Sequence, residues 1–345
     1  MNTSKKNDLY RKAREIHERC ILVDGHNDLV IRRLARGDSA DMVRVDRRYH
    51  SDVTRLLRGG MTASFFMVGG GERDHTFALI QRAREQITAH PDRLLLATQT
   101  RHIREAKQTN RLAVLLSWES CSVLGNRIEV LRLAFNLGIR VSTLTHGEGG
   151  GPYDLQGTAS PFQYVSASER QALYRQAKGL TEFGKEVVHT MNRLGMLVDL
   201  AHANDRTVAE VLELSSKPVV STHGGVYRLC PHTRCSTDEQ IRAIAAKGGL
   251  ISIAFYRGFL AEPPSEASAE DIVRHIAYVA DLVGIEHVAI GTDFDGLGEG
   301  EQPVISAPEQ LPVLTETMLR HGFTEKEIRK VWGENYLRVL RATIG

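Results

Sequence analysis

The chain has 345 residues, of which 42% are hydrophobic and 25% charged, which is close to the average for a soluble globular protein. Lys and Arg number 44 and Asp and Glu 42, and the net charge of +2 gives no indication of binding to nucleic acid or to an anionic membrane. This composition excludes the disordered, collagenous and coiled-coil classes, while the length allows two domains or one α/β barrel.

Short apolar segments alternate along the chain with longer charged and amphipathic ones. The apolar segments are rich in Val, Ile and Leu and carry almost no charge before their C-terminal ends, which is typical of parallel strands buried on both faces. In chain order, these eight predicted strands are residues 20–28, 62–68, 112–119, 139–146, 196–202, 218–223, 250–256 and 287–293.

The segments between the predicted strands have apolar residues at helical spacing, and several end in glycine, a common helix cap. The clearest predicted helices are 76–90, 127–138, 181–195 and 237–249, and Thr237 with Gln240 forms a capping-box pattern at the start of the last one.

Strands that alternate with helices predict a (β/α)8 TIM-type barrel, which we expect to be a single domain over residues 1–345 with a helical N-terminal extension at 1–19. A doubly wound open sheet is the alternative, although no G-x-G-x-x-G motif follows any predicted strand.

The four cysteines, Cys20, Cys121, Cys230 and Cys235, form no CxxC pair, and we expect them to be buried free thiols. The N-terminal twenty residues lack the apolar segment of a signal peptide, and no stretch reaches the roughly 18 apolar residues of a membrane span. The last residues, RATIG, have no hydrophobic tail that would precede a lipid anchor. We therefore expect a cytoplasmic protein with no membrane or nucleic-acid partner, for which a homodimer stays open.

Ionisable side chains lie at the ends of six of the eight predicted strands. They are His26, Asp28, Glu119, His146, His202, His223 and Asp293. Because the C-terminal ends of barrel strands converge around one axis, these side chains should meet. Each alone is more often a core histidine or a helix cap, but together they indicate a metal site, since burying several unpaired charges is costly.

Imidazole and carboxylate ligands without thiolate favour Zn²⁺, with Mn²⁺, Fe²⁺ and Co²⁺ as alternatives. Seven groups exceed the three protein ligands of one catalytic zinc ion, which favours two metal ions about 3.5–4 Å apart. Two such cations need a bridging anion between them. No lysine lies at a strand end where it could be carbamylated, so Glu119 is the candidate bridge.

The order of the strand-end motifs resembles the renal (membrane) dipeptidase family of amidohydrolase-type metal-dependent barrels. The similarity extends from about residue 20 to WGENYLRVL at 332–340. The motifs that carry it are HND at 26–28, SWE at 117–119, LTH at 144–146, VDLAH at 198–202, STH at 221–223 and GTDFDG at 291–296.

The resemblance implies a zinc dipeptidase that hydrolyses the amide bond of dipeptides or small N-acyl amino acids by attack of a metal-bound hydroxide. It implies two zinc ions per chain. His26 and Asp28 would bind one of them, His202 and His223 the other, and Glu119 would bridge them.

The resemblance also implies roles for residues that contact the substrate. Asp293 would carry the proton of the attacking water, and His146 would contact the substrate and stabilise the tetrahedral intermediate. Arg234 matches the arginine that binds the substrate carboxylate, a task to which a planar guanidinium is suited. Tyr256 matches, less closely, a tyrosine near the substrate.

The sequence does not assign a single role to three aspartates near these motifs. Asp295 is the alternative to Asp293, but it lies beyond the apolar segment, and we expect it in a loop or as a hydrogen-bond partner of the ligand side chains. Asp24 and Asp199 are either hydrogen-bond partners of the ligand histidines or plain structural groups.

The sequence departs from the family pattern near the substrate. Ser-Cys follows Glu119, Gly-Gly follows His223, and Cys235 stands where an asparagine is common, so the substrate side-chain preference stays open. Two other functions remain as alternatives: hydrolysis of lactams, lactones or phosphoesters at the same site, and a metal-stabilised binding protein without turnover.

Overall fold

The computed structural model describes residues 3–35 and 41–345, and the strands within them form a barrel. The strands are β1 (Leu22–Asn27), β2 (Met61–Met67), β3 (Leu94–Leu96), β4 (Leu112–Glu119), β5 (Ile139–Thr143), β6 (Leu197–Asp199), β7 (Val219–Val226), β8 (Cys235–Ser236), β9 (Leu250–Ile253) and β10 (Val288–Ile290). Eight of them form a parallel sheet in the order β1-β2-β4-β5-β6-β7-β9-β10.

The first and last strands of this sheet, β1 and β10, are joined by hydrogen bonds at their C-terminal ends. The amide of Asp28 donates to the carbonyl of Phe294 over 2.9 Å, and the amide of Asp293 donates to the carbonyl of His26 over 3.1 Å. These bonds nearly close the sheet, and the predicted (β/α)8 barrel is confirmed.

All eight predicted strands are present, but several end earlier than the apolar pattern indicates. Strands β6 and β10 stop at Asp199 and Ile290 because the chain leaves the extended conformation just beyond them. His202 and Asp293 have φ of +65° and +60°, in the left-handed region that few residues other than glycine adopt. The short β3 and β8 pair with β4 and β7 outside the main strand order, and the sequence did not predict them.

Helices follow most strands. They are α1 (Thr3–Arg19), α2 (Leu29–Leu34), α3 (Val53–Arg58), α4 (Arg73–Ala89), α5 (Thr100–Gln108), α6 (Ile128–Leu137), α7 (Ala167–Gln176), α8 (Glu182–Leu194), α9 (Asp205–Leu214), α10 (Asp238–Ala246), α11 (Ala269–Val283), α12 (Pro312–Arg320), α13 (Glu325–Arg329) and α14 (Asn335–Thr343). A π-helical turn, Lys330–Glu334, joins the last two.

The four clearest predicted helices correspond to α4, α6, α8 and α10. Gly138 and Gly195 end α6 and α8 in the left-handed conformation, and the capping box of Thr237 and Gln240 is formed at the start of α10. The predicted N-terminal extension is α1, which packs against α12, while residues 1–2 of that prediction lie outside the described residues.

No helix within the described ranges is long and apolar enough to cross a lipid bilayer. All four cysteines are buried free thiols, as predicted.

Successive side chains of each strand point alternately into the barrel and out toward the helices, so the hydrophobic core has two layers. Ala113 and Leu115 of β4 pack in one cluster with Phe65 of β2, whereas Leu116 and Trp118 pack in another cluster that includes residues of the surrounding helices. Successive side chains of a strand point to opposite faces, so Glu119 continues the series of Ala113 and Leu115. The carboxylate therefore lies on the inner face of the barrel, at its C-terminal end.

Candidate metal centre and its cavity

One cavity of about 590 Å³ opens at the C-terminal ends of the barrel strands. All nine site residues that the sequence predicts line this cavity, although they come from eight separate segments of the chain. They are His26, Asp28, Glu119, His146, His202, His223, Arg234, Tyr256 and Asp293.

The carboxylate of Glu119 lies among four imidazole rings. Its Oε1 is 2.8 Å from Nε2 of His202, 3.5 Å from Nε2 of His223 and 3.8 Å from Nε2 of His26. Its Oε2 is 3.6 Å from Nε2 of His146, whose side chain is 59% exposed at the mouth of the cavity. The side chains of the other three histidines are at most 12% exposed.

Three sets of nitrogen and oxygen atoms here are close enough to share a cation. The atoms of each set lie within 4.8 Å of one another, and the sets are His26 with Glu119 and His223, Glu119 with His146 and His202, and His26 with Asp28 and Asp293. Glu119 belongs to two of these sets, and so does His26. His202 and His223, which would share one metal ion according to the family resemblance, have their Nε2 atoms 2.9 Å apart.

The cavity has an excess of negative charge. Asp28, Glu119 and Asp293 line it, and among the described lining residues Arg234 supplies the one permanent positive charge. Desolvation alone would lower the pKa of His26, but these three carboxylates together raise it to about 10. In the protein without metal, a proton on this imidazole therefore partly balances the carboxylates, and a divalent cation would balance them more completely.

The other buried imidazoles are suited to be ligands. Burial lowers the pKa of His202 to about 3 and, together with the charge on His26, holds the pKa of His223 well below its usual value. Both rings are therefore neutral and keep a free electron pair, which metal binding requires. Oε1 of Glu119 is buried with no well-directed hydrogen-bond donor among the described residues, a costly arrangement that a cation would relieve. The residues present thus fit divalent metal ions.

Comparison with known proteins agrees with this geometry. Residues 10–344 match the profile of the membrane dipeptidase family, peptidase family M19. The chain belongs to this family. The resemblance seen in the sequence motifs is thereby confirmed, and the protein is a metal-dependent hydrolase of the M19 dipeptidase type.

Individual relatives cover nearly the whole M19 chain. The dipeptidase tcpJ of Claviceps purpurea is 28% identical over 341 residues, which are 92% of this chain and 76% of the relative. A metallopeptidase from Rhodobacter sphaeroides, solved with a phosphinate mimic of the dipeptide L-Ala-D-Ala, is 25% identical with a TM-score of 0.81 over 94% of this chain and 99% of its own. An amidohydrolase from Pseudomonas aeruginosa is also 25% identical, with a TM-score of 0.79 over 96% and 98% of the two chains.

Behind the cavity of this M19 protein, Asp199 is connected to His223 through Thr222. The hydroxyl of Thr222 lies 2.7 Å from Oδ2 of Asp199 and 3.0 Å from Nδ1 of His223. Asp199 also accepts hydrogen bonds from the hydroxyl of Thr143 and from the amides of Thr222 and Ala201. Of the two assignments that the sequence left open for Asp199, the geometry favours a hydrogen-bond partner of a histidine that is predicted to be a ligand, with Thr222 as an intermediate that sequence analysis missed.

Asp24 and Asp295 instead hold the backbone around the site. Asp24 accepts hydrogen bonds from the amide and hydroxyl of Thr292 over 2.7 and 2.9 Å, and so ties β1 to the segment after β10. Asp295 accepts from the amide and hydroxyl of Ser51 and from the amide of His50. These contacts give Asp24 a structural role and place Asp295 in a loop, as expected for the latter.

The substrate side of the M19 cavity combines Arg234 with aromatic rings. The guanidinium of Arg234 donates to the carbonyl of His223 over 3.3 Å, and its carbon lies 5.2 Å from the ring centre of Phe259. The hydroxyl of Tyr256 donates to the carboxylate of Glu301 over 3.2 Å, so its ring faces the cavity with its polar end already bonded.

Sequence analysis missed Phe162 and Phe259, which line the same cavity. Both follow predicted strands, on the face where a barrel carries its active site, and this position was the one available signal. Phe162 lies nineteen residues beyond the end of β5, in a segment with no regular pattern that would single it out.

Proposed function

We propose that this M19 protein is a dipeptidase that holds two zinc ions and hydrolyses the amide bond of dipeptides or small N-acyl amino acids. The observation that carries this proposal is the position of Glu119, whose Oε1 lies 2.8 to 3.8 Å from Nε2 of His26, His202 and His223 in a cavity that also contains an arginine. A carboxylate among histidines that are assigned to two different cations suits a binuclear hydrolytic centre, and the arginine suits a substrate with a free carboxylate.

His26 and Asp28 would hold one cation and His202 and His223 the other, with Glu119 between them. Nitrogen and oxygen donors without thiolate favour zinc among the divalent metals. When bound, a pair of such cations supplies Lewis-acid polarisation of the scissile carbonyl and a nucleophile from water at neutral pH.

Arg234 binds the C-terminal carboxylate of the substrate in this proposal. Its guanidinium lies in the same cavity as Glu119 and presents a planar pair of donors that can bind both carboxylate oxygens. Because Arg234 and the proposed metal ligands line the same cavity, a carboxylate that Arg234 holds lies close to the scissile carbonyl, which favours short substrates.

Asp293 transfers the proton of the attacking water to the leaving nitrogen in this proposal. In the protein without metal, burial and the neighbouring Asp28 and Glu119 carboxylates raise its pKa to about 7. Its carboxylate lies 3.8 Å from Nε2 of His26, beside the proposed metal ligands, where it can accept a proton from an attacking water. It takes the proton from the attacking water and delivers it to the nitrogen of the broken amide bond. His146 lies at the mouth of the cavity, where its imidazole can donate a hydrogen bond to the carbonyl oxygen as negative charge develops there.

Removal and return of metal test the proposal. The purified protein is stripped with a chelator, and hydrolysis of L,L- and L,D-dipeptides is followed as zinc is added back. We expect activity to disappear on stripping and to return with two equivalents of zinc. Glu119→Gln should bind less zinc and be inactive, whereas Glu129→Gln, in the first turn of α6, should behave as the wild type. Full activity in demonstrably metal-free protein would contradict the proposal.

A further inference from the structure

Phe162 and Arg234 belong to two chain segments that are paired with each other. The hydroxyl of Thr233 donates to the carbonyl of Pro161 over 2.6 Å, and the amide of Thr233 donates to the carbonyl of Gln163 over 2.9 Å. These bonds are made by the immediate neighbours of Phe162 and Arg234. The backbone segments that carry Phe162 and Arg234 are therefore held side by side, although they are far apart in the sequence.

Phe162, Tyr256 and Phe259 together form one side of the cavity, which we call the aromatic wall. The ring centre of Phe162 is 5.8 Å from that of Phe259 and 6.2 Å from that of Tyr256, and the rings of Tyr256 and Phe259 are 4.8 Å apart. The contact between Arg234 and Phe259 places the guanidinium beside this wall.

The rings of the aromatic wall differ in exposure. Phe259 is buried, and the hydroxyl of Tyr256 is held by Glu301. Phe162, in contrast, is 58% exposed, although it lines the cavity. An apolar ring that faces a binding cavity and remains open to water gains stabilisation when an apolar ligand group covers it.

The chemistry of a dipeptide identifies the group that would cover the ring. The carboxylate and the side chain of its C-terminal residue are attached to the same carbon atom. A carboxylate held by Arg234 therefore brings that side chain next to the guanidinium, where the aromatic wall lies.

We propose that the aromatic wall is the subsite for the side chain of the C-terminal residue and that it selects apolar side chains there. This inference rests on the proposed dipeptidase function and names the class of dipeptide that it prefers. Phe162 is the specificity-determining residue of the subsite, because it has the most apolar surface left to cover.

The test uses the zinc-loaded protein and dipeptides with N-terminal alanine, ending in glycine, aspartate, leucine or phenylalanine, the last three in both L and D forms. We expect kcat/KM to be highest for the apolar C-terminal residues in one of the two stereochemical series. Phe162→Ala should lower kcat/KM for these substrates roughly tenfold, mainly through a higher KM, and change it less than twofold for the glycine substrate. Phe162→Leu should restore most of the loss.

Tyr153→Ala is the matched control, because Tyr153 is 52% exposed in the same segment and is not among the described residues that line the cavity. This variant should leave kcat and KM unchanged for every dipeptide in the series. Equal kcat/KM for every C-terminal residue, or an equal loss on glycine and leucine substrates in Phe162→Ala, overturns the subsite while the dipeptidase function stands. Hydrolysis of none of the dipeptides overturns that function and the subsite with it.

Discussion

The hydroxyl of Thr222 lies 3.0 Å from Nδ1 of His223 and has one proton to give. Burial raises the pKa of Asp199, and hydrogen bonds from four donors, the hydroxyl of Thr222 among them, oppose that rise and stabilise the ionised form, which can only accept. The hydroxyl of Thr222 therefore donates to Asp199 and accepts from Nδ1 of His223. This leaves Nε2 of His223 without a proton and directed toward Glu119, as a metal ligand requires.

Thr222→Val keeps the shape of this side chain and removes the hydroxyl that orients His223. We expect zinc affinity to fall about 10- to 100-fold, the usual effect of losing such a partner, and Thr222→Ser to retain it. Competition with a chromophoric chelator measures the affinity. Thr143→Val is the control, because Thr143 donates to the same oxygen of Asp199 without contacting His223. Equal losses in the two valine variants would show that the hydroxyl of Thr222 has no specific role.

Arg234→Ala should weaken binding of substrates that carry a free carboxylate. We expect kcat/KM for dipeptides to fall about 10- to 100-fold, because a charge-assisted bidentate contact is lost, and to change little for the corresponding dipeptide amides. Arg228→Ala, an exposed position outside the residues described as lining the cavity, serves as control. Similar losses on acids and amides would contradict the assignment, and lactams, lactones or phosphoesters would then be the substrates to examine.

Asp293→Asn removes the group proposed to carry the proton while nearly preserving its size. We expect kcat to fall by a factor of about 10² to 10⁴, the usual contribution of general acid–base catalysis, with bound zinc unchanged. Asp295→Asn should lower the midpoint of thermal unfolding through its lost contacts with Ser51, yet reduce kcat far less. If Asp293→Asn keeps kcat within a few-fold of the wild type, another residue carries the proton.

His275 makes the stability of the fold depend on pH. Its Nδ1 accepts from the amide of Val226 over 3.0 Å, so Nε2 carries the proton and donates to the carbonyl of Leu260 over 3.2 Å. Burial lowers the pKa of His275 from 6.5 to about 4, so the folded state binds this proton less readily than the unfolded state. Its contribution is therefore complete above pH 6.5 and is lost as the pH falls toward 4, by about 3 kcal/mol in total.

Urea unfolding between pH 7 and 4.5 measures this contribution. His275→Gln should be less stable than the wild type at pH 7, and its free energy of unfolding should decline less as the pH falls. His75→Gln, on the exposed surface of α4, should follow the wild-type profile. Parallel declines in the wild type and His275→Gln would contradict the assignment.

The barrel was predictable because buried parallel strands leave uninterrupted Val, Ile and Leu segments in the sequence. The exact ends of the strands were not predictable, because the left-handed conformations of His202 and Asp293 do not affect the pattern of apolar residues. Strands β3 and β8, with three and two residues, are too short to produce a pattern at all.

The charged strand-end residues of the site were predictable for a related reason, because barrel geometry brings every strand end to one rim. Arg234 and Tyr256 were predicted only through the resemblance to the dipeptidase family. Phe162 and Thr222 escaped prediction for different reasons. The position of Phe162 depends on hydrogen bonds to Thr233, seventy residues and more away, which local sequence does not reveal. Thr222 is an unremarkable strand residue until Asp199 is seen beside it.

The central claim is that Glu119 is shared by two metal ions, and anomalous scattering from crystals of the zinc-loaded protein tests it most directly. Data collected at the zinc absorption edge should show two peaks in the cavity, about 3.5–4 Å apart, each with an oxygen of Glu119 among its ligands. A single peak, or two peaks of which one lies out of reach of Glu119, would contradict the account.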